Sequence, residues 1–233
     1  MKRKNIAVIT AAGKGIRLRK DIKKQYIKIN SKPIIYHTIK TFSDAEFIDE
    51  IIIVSDRDNI LYMEKEIIDK YEFSKVTDVV EGGITRKDSV RNGFKKIKNR
   101  NSIVVIHDGV RPFVDKETIL KSIKKANEKG SAVVAVESSD TIKIVKNQKV
   151  ENTLDRKNLR KIQTPQTFKY EILEDAYSVI NWNDEKITDE AYIVESAGYD
   201  VYIVEGNEKN IKITKEFDLE FAEFLLNREK IWK

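Results

Sequence analysis

The sequence predicts an α/β fold, in which helices cover both faces of a doubly wound, mostly parallel sheet and a β-hairpin arm protrudes. The first observation is a set of short, continuous apolar runs rich in β-branched residues, which are typical of strands buried on both faces. The second is the regular alternation of these runs with segments of helical spacing. The third is one polar interruption of that alternation, over residues 138–160.

Apolar runs supply the predicted strands. They cover residues 6–9, 51–54, 76–80, 103–106 and 132–136, and two shorter runs follow at 201–204 and 211–214. Because parallel strands end at one edge of a sheet, we expect ligands to bind in the loops that leave their carboxyl ends.

Helical patterns connect these strands, as in a Rossmann-like domain. Pro33 is tolerated in the first turn of one predicted helix, and Gly130 ends another. The predicted helices cover residues 33–42, 59–71, 116–129, 169–180, 189–197 and 217–228.

The polar interruption predicts a β-hairpin, with strands at 141–145 and 149–154 around a polar turn. Ile142 and Ile144 are expected on one face of it. An isolated hairpin is marginal in water, so we expect it to pack against a second subunit or against its own domain. The simplest description is one domain over residues 1–233, with 138–160 as an arm for dimerisation.

Composition excludes several classes of function. The chain has no cysteine, which excludes disulfides, Cys-ligated zinc and thiol catalysis, and its two histidines make a His-rich metal site unexpected. No apolar run approaches the roughly 20 residues that span a bilayer, so the cytoplasm is the expected location. The net charge of +6 suits nucleic acid, acidic membranes or nucleotide phosphates, or reflects a lysine-rich solvated surface.

The first candidate site directly follows the first strand and reads Ala11-Ala12-Gly13-Lys14-Gly15-Ile16-Arg17. Small residues let the backbone approach a ligand closely, and its N–H groups can cradle phosphate oxygens. The pattern is neither a P-loop nor a dinucleotide fingerprint, and a tight structural turn is the alternative. Arg17 and Lys24 flank the loop and could clamp a triphosphate.

The second candidate site covers residues 82–90, between a strand and a helix. Gly82 and Gly83 permit a tight turn, and Arg86 and Ser89 lie one helical turn apart. Their donors could contact a base and a ribose. An ordinary helix start is the alternative.

The third candidate site is His107-Asp108-Gly109-Val110-Arg111-Pro112, at the end of a buried strand. Mg²⁺ prefers carboxylate and phosphate oxygens, so Asp108 is the candidate metal ligand, and a helix cap is its alternative role. Arg111 could reach an anionic substrate. We expect His107 to be a packed, hydrogen-bonded residue.

Three further polar patches lie near the ends of predicted elements. They are Asp140-Thr141 with Arg156, Thr188-Asp189-Glu190, and Asn210-Ile211-Lys212. The second could simply be a helix N-cap with acids in its first turn, and Lys212 could simply be an exposed strand residue.

Together these blocks resemble the 2-C-methyl-D-erythritol 4-phosphate cytidylyltransferase family of the non-mevalonate isoprenoid pathway. The resemblance runs the length of the chain and adds Lys24-Gln25 and Gln163-Thr164-Pro165-Gln166-Thr167-Phe168 to the blocks above. The chain departs from the family pattern at Lys23, Leu18-Arg19 and Ile84. The resemblance implies that the predicted domain is a nucleotidyltransferase.

The resemblance also implies the ligands. CTP is expected at Ala11, Ala12, Gly13, Gly15, Arg17, Lys24, Gly82, Gly83, Arg86, Ser89 and Asp108, with Mg²⁺ or another divalent cation at Asp108. The polyol phosphate is expected at Asp108, Arg111, Thr188 and Lys212. A homodimer is implied, in which the arm lends Thr141 and Arg156 to the neighbour's site. The expected catalytic residues are Arg17, Lys24 and Lys212.

The expected mechanism needs no general base, because a phosphate monoester with a second pKa of about 6 is mostly dianionic at neutral pH. Cations would instead offset the repulsion between two anions and hold them in line. One alternative is ribitol-5-phosphate cytidylyltransferase, whose substrate differs by a methyl branch and chain length, a difference of about 1–3 kcal/mol in a pocket. Another is a non-catalytic nucleic-acid-binding protein, although the basic stripe with interleaved aromatics that it needs is missing.

Overall fold

The computed structural model describes residues 3–13 and 22–231, with side chains described through residue 227. The strands are β1 Lys4–Ala11, β2 Lys28–Ile29, β3 Lys32–Pro33, β4 Glu50–Ser55, β5 Val76–Glu81, β6 Ser102–Asp108, β7 Ser131–Glu137, β8 Lys143–Lys146, β9 Lys149–Thr153, β10 Arg160–Lys169 and β11 Ile203–Glu205. The helices are α1 Ile34–Ser43, α2 Ile60–Tyr62, α3 Arg86–Phe94, α4 Lys116–Lys129, α5 Tyr170–Val179, α6 Glu190–Ser196 and α7 Glu216–Ile231.

A seven-stranded sheet forms the centre, in the order β11-β7-β10-β6-β1-β4-β5. Strand β10 runs antiparallel to both of its neighbours, and the other paired strands are parallel. In β1, Ala7 lies beside Ile51 on one side and Val105 on the other. The predicted mostly parallel α/β sheet is therefore confirmed.

Helices cover both faces of this sheet because alternate side chains of a strand point to opposite sides. Ile6 and Val8 of β1 pack in an apolar layer with α3, α5 and α6. Ala7 and Ile9 pack in the opposite layer with α1 and α4. Full burial on both faces explains why these strands are continuous apolar runs.

A third apolar cluster packs α7 against residues 27–34. Ile213 and Ala222 pack there against Ile27, Ile29 and Ile34. The segment that carries residues 210–214 is thereby fixed over the carboxyl edge of the sheet. Phenylalanines 217, 221 and 224 of α7 are exposed on its outer side.

One sequence-based prediction of a strand is wrong, and one strand was not predicted. The strand expected at 211–214 is absent, because these residues have no regular secondary structure and Ile213 N donates to Val110 O instead (2.9 Å). Conversely, the central strand β10 lies where no strand was expected. The residues of β10 are mostly polar and include a proline, so they do not look like an interior strand. In the sheet, β10 pairs with β6 on one side and with β7 on the other.

The helix expected at 59–71 forms in two parts. A 3₁₀ turn at Arg57–Asn59 leads into α2, and the chain continues as a π-helix over Met63–Asp69. The strand expected at 201–204 is β11, which begins two residues later. None of the described helices is long and apolar enough to cross a bilayer.

The predicted hairpin is present as β8 and β9. A bulge between Ile144 and Val145 interrupts the simple alternation of its two faces. Every residue from 139 to 153 is exposed, including Ile144 at 44% and Val150 at 50%. The hairpin therefore leaves apolar side chains in contact with water in this chain.

Candidate active site

A cavity of about 220 Å³ opens at the carboxyl ends of β1 and β6, where a doubly wound sheet is expected to bind ligands. Most of the residues selected from the sequence line it. They are Ala11, Ala12, Gly13, Lys24, Gly83, Arg86, Ser89, Asp108 and Lys212.

Asp108 is the centre of the site. It ends β6 and is only 5% exposed. Arg86 Nε donates to its Oδ1 (3.0 Å), Lys212 Nζ donates to its Oδ2 (2.8 Å), and Arg111 Nε lies 3.6 Å from Oδ2. Burial opposes the charge, but these three cations hold the pKa of Asp108 well below its usual range. The carboxylate is therefore ionised, and it gathers cations at the end of the strand.

Arg86 connects Asp108 to a second carboxylate. It is the first residue of α3, whose N-cap Thr85 forms a capping box with Asp88. Arg86 NH1 donates to Glu190 Oε2 (2.7 Å), and the Glu190 side chain is fully buried. Burial raises the pKa of Glu190, and the guanidinium opposes that rise. Arg111 and Lys212 also lie beside Asp108, so this cluster contains three cationic and two acidic side chains.

His107 fixes the backbone beside Asp108 and is packed, as expected. Its ring nitrogens lie 3.1 Å from Arg111 O and 3.0 Å from Thr164 Oγ1, which also accepts from Asp108 N (3.1 Å). Burial lowers the pKa of His107 to about 4, so the imidazole is neutral at physiological pH. A neutral ring can donate to the carbonyl and accept from the hydroxyl.

Lys212 reaches Asp108 because its loop is fastened to β10. Asn210 Nδ2 donates to Thr164 O (2.8 Å) and Gln163 Oε1 (3.1 Å), and Arg111 NH1 donates to Asn210 O (2.7 Å). The alternative of an exposed strand residue is therefore wrong for Lys212, whose ammonium group lies in the site.

The glycines bring two loops into close contact. A Cβ atom at Gly82 would overlap Ala12, and one at Gly83 would overlap Asp88. Ser89 Oγ accepts from Gly83 N (3.0 Å) and donates to Thr85 O (2.9 Å). Ser89 thus shapes the loop at the cavity wall, and Gly82 lies behind that wall.

Lys24 lies in a 3₁₀ turn, Lys24–Tyr26, and lines the cavity. Its neighbour Gln25 is buried and donates from Nε2 to Ala11 O (2.6 Å), which ties the turn to the end of β1. Lys23 forms an ion pair with Asp56 at the end of β4. Gly15 and Arg17 lie outside the described residues.

Besides Gly82, four selected residues that the structure describes do not line this cavity. Thr141 and Arg156 are exposed on the hairpin and its base, where Arg156 NH1 donates to Ser139 O (3.3 Å). Thr188 is exposed in the loop before α6. Arg111 lies behind Asp108 rather than on the wall.

Several residues of the site form contacts that the local sequence does not predict. Glu190 was considered only as an acid in a helical first turn, whereas its carboxylate binds Arg86. Thr164 and Gln166 belong to a polar block for which the sequence predicts no role. Their partners are distant in sequence, so local spacing carried no signal for them.

The donor set suits a divalent cation that arrives with phosphates. Among the described residues no group of three His, Asp or Glu side chains could hold a metal ion. Asp108 lines the cavity, and its Oδ1 accepts a hydrogen bond from Arg86 Nε, although a carboxylate oxygen can accept more than one. Mg²⁺ is usually held by one or two carboxylates and by substrate phosphates, which fits a single carboxylate here.

Two small-residue loops and a cation-rich carboxylate at the edge of a parallel sheet define the class, a nucleotide-binding α/β protein. The family model of 2-C-methyl-D-erythritol 4-phosphate cytidylyltransferase (IspD) matches residues 5–228. The chain belongs to this family.

Individual relatives agree with that match. The chain is 44% identical over 228 residues to the enzyme of this name from Alkaliphilus oremlandii, covering 97% of each. It is 45% identical over 223 residues to that from Clostridioides difficile, covering 96% of this chain and 94% of the relative. The solved 4-diphosphocytidyl-2C-methyl-D-erythritol synthase of Anaerococcus prevotii is similar at a TM-score of 0.84 and 32% identity, with 97% of this chain and 99% of that chain covered.

Proposed function

We propose that this chain is a cytidylyltransferase that condenses CTP with 2-C-methyl-D-erythritol 4-phosphate, giving the CDP-alcohol and pyrophosphate. The observation that carries the proposal is the cluster of Arg86, Arg111 and Lys212 around Asp108, in a chain whose family match spans residues 5–228. Asp108 holds these cations close to the glycine-containing loops. Cations fixed in this way can stabilise the negative charge of two reacting phosphates.

CTP would bind in the cavity between the two loops. Residues 11–13 line this cavity, and their backbone would approach the phosphates. Gly83 N–H already donates to Ser89 Oγ, so Gly83 would leave room for the nucleotide rather than bind it. Gly15 and Arg17, which follow in the sequence, are also proposed to bind CTP. Arg86 and Ser89 on α3 would contact the nucleoside, although Ser89 already donates within its own loop. Lys24, which also lines the cavity, would contact the triphosphate.

The reaction follows from charge. An oxygen of the polyol phosphate attacks the α-phosphorus of CTP, a new P–O bond forms, and the bond from the α-phosphorus to the bridging oxygen breaks to release pyrophosphate. The nucleophile is already dianionic, so no side chain has to remove a proton. Arg17, Lys24 and Lys212 would offset the repulsion between the anions and the charge on the leaving group.

Asp108 would hold Mg²⁺, or another divalent cation, together with oxygens of the triphosphate. When bound, the ion would neutralise phosphate charge and lower the cost of bringing two anions together. Asp108 lines the cavity and its pKa lies well below the usual range, so it is an ionised carboxylate there, which supports this assignment.

The polyol phosphate would lie between Asp108, Lys212, Arg111 and Thr188. Lys212 is the best placed of these, because its ammonium group lines the cavity and lies 2.8 Å from Asp108. Lys212 could move from the carboxylate to the incoming phosphate, whose charge is higher.

We further infer one nucleotidyltransferase domain over residues 1–233 that dimerises through its arm, residues 138–160. The exposed apolar side chains Ile144, Val145 and Val150 support a covered state of the hairpin. In a homodimer, Thr141 and Arg156 would complete the neighbour's substrate site.

The two alternatives are not favoured. The relatives and the family model carry the methylerythritol phosphate name rather than a ribitol phosphate one. The cations that surround Asp108 converge on a cavity, whereas a nucleic-acid-binding protein would present a basic stripe on its surface.

The test is pyrophosphate release from CTP with each polyol phosphate. We expect turnover with 2-C-methyl-D-erythritol 4-phosphate and at least about tenfold lower kcat/KM with ribitol 5-phosphate. Lys24→Ala and Lys212→Ala should each lower kcat about 100-fold. Lys121→Ala, at an exposed position on α4, is the matched control. Near-normal rates for both site variants, in folded protein, would contradict the proposal.

A further inference from the structure

We propose that Glu190 is a positioning residue, which orients the Arg86 guanidinium toward CTP without touching either substrate. This inference rests on the proposed function, because Arg86 is there a ligand of the nucleotide. The observation behind it is that one guanidinium is held by two buried carboxylates on separate elements.

The two contacts fix the plane of the guanidinium. Nε donates to Asp108 at the end of β6, and NH1 donates to Glu190 at the start of α6. These hydrogen bonds use two of the five N–H donors of the arginine. The Arg86 side chain remains 26% exposed and lines the cavity, so its other donors can meet a ligand.

Glu190 is not required to cap its own helix. Asp189 is the N-cap of α6 and accepts from Tyr192 N (3.0 Å). Gln166 Oε1 accepts from the backbone N atoms of Glu190 (3.1 Å) and Ala191 (3.2 Å). The Glu190 carboxylate is therefore available for Arg86 alone.

Gln166 also fixes where that carboxylate lies. Its Nε2 donates to Asp189 Oδ2 (2.7 Å), so the one amide holds the first turn of α6 to the central strand β10. A chain of contacts thus runs from β10 through α6 and α3 to Asp108. The orientation of Arg86 depends on all of these elements.

Stability is a weak reason for such an arrangement. Burying a carboxylate is costly, and a buried ion pair often stabilises no more than an apolar pair of the same size. Glu190 is 0% exposed, and its Oε1 has no hydrogen-bond partner among the described residues. Orientation of a ligand-binding group explains this buried charge better than folding does.

The experiment compares Glu190→Gln with Glu195→Gln, an exposed position on the same helix. Gln at 190 keeps the shape and one acceptor but removes the charge that holds Arg86. We expect KM for CTP to rise about tenfold, and KM for the polyol phosphate to stay within about twofold. Glu195→Gln should change neither KM. A CTP KM that stays within about twofold in Glu190→Gln would overturn the proposal.

A double-mutant cycle separates positioning from a general loss of structure. In an Arg86→Ala background, Glu190→Gln should have no further effect on KM for CTP, because it acts through Arg86. An undiminished tenfold rise in that background would overturn the proposal. Gln166→Ala, which leaves both charges in place, should raise KM for CTP by a smaller factor, so the idea stays testable if Glu190→Gln fails to fold.

Failure of the proposed function would look different. A wild-type chain that does not turn over CTP contradicts that function, and calorimetric titration with CTP alone then compares the same variants. Weaker CTP binding by Glu190→Gln than by Glu195→Gln supports the positioning role, and equal binding overturns it.

Discussion

The site around Asp108 and the hairpin arm differ in the burial of their charged side chains. At the site, Asp108 and Glu190 are buried and paired with cations from three separate segments of the chain. On the arm, Lys143, Lys146 and Arg156 are exposed, and residues 139–153 are exposed throughout.

The difference shows which parts of the function one chain can organise by itself. Buried, paired charges keep their geometry before a ligand arrives, and such preorganisation is what lowers a barrier between anions. A solvated hairpin has no framework of this kind and is marginal alone. The cations around Asp108 are therefore brought together within a single chain, whereas we propose that the exposed arm packs against a second subunit.

The largest expected effect is at Asp108. Asp108→Asn leaves three cations around a neutral amide, so the free energy of unfolding should fall by about 3 kcal/mol. Glu151→Gln on the exposed arm should change it by less than about 0.5 kcal/mol. Urea denaturation measures both. A similarly small change in the two variants would remove the contrast between the regions.

A second large effect is pH dependence at His107. Its folded pKa of about 4 lies below the ordinary value of 6.5, so the unfolded chain binds more protons between these pH values. The contribution of the neutral His107 ring to the free energy of unfolding is complete above about pH 6.5. It is lost as the pH falls toward 4, by about 3 kcal/mol in total.

Unfolding free energies from pH 4 to 7 test this for the wild type and His107→Gln. In the variant, the free energy of unfolding should rise less steeply with pH, because the titration of His107 is missing. Parallel curves for the two proteins would show that His107 is not kept neutral by burial.

A smaller effect on folding sharpens the description of the arm. Ile144→Asp should change the free energy of unfolding of the dilute chain by less than about 0.5 kcal/mol, because Ile144 is already 44% exposed. In sedimentation experiments the same variant should shift dimers toward monomers. Leu61→Asp, at an exposed position away from the arm, is the control and should leave the distribution unchanged. An unchanged distribution for Ile144→Asp would count against the arm as the interface.

Much of the sheet could be predicted because burial on both faces leaves a local signal. The runs at 6–9, 51–54 and 103–106 are apolar at every position and are strands. Asp108 was predictable in turn, since a carboxylate directly after such a strand lies at the ligand-binding edge.

Strand β10 and parts of the site could not be predicted, because they depend on contacts between residues that are distant in sequence. Strand β10 is polar because Thr164 and Gln166 hydrogen-bond to other buried elements, so its composition does not look like a strand. Glu190 meets Arg86, 104 residues away, and local spacing shows only an acid in a first turn. Lys212 was selected through the family resemblance, although its expected strand is absent.

The most direct test of the account mixes two variants that should each be nearly inactive, Lys212→Ala in the site and Arg156→Ala in the arm. If each arm completes the neighbour's site, random mixing makes half of the dimers mixed, each with one intact site of two, and the rate of pyrophosphate release should recover to about a quarter of wild type. Lys212→Ala mixed with Lys24→Ala should stay inactive, because both residues belong to the same chain's cavity. A Lys212→Ala and Arg156→Ala mixture that is no faster than its separate components would contradict the account.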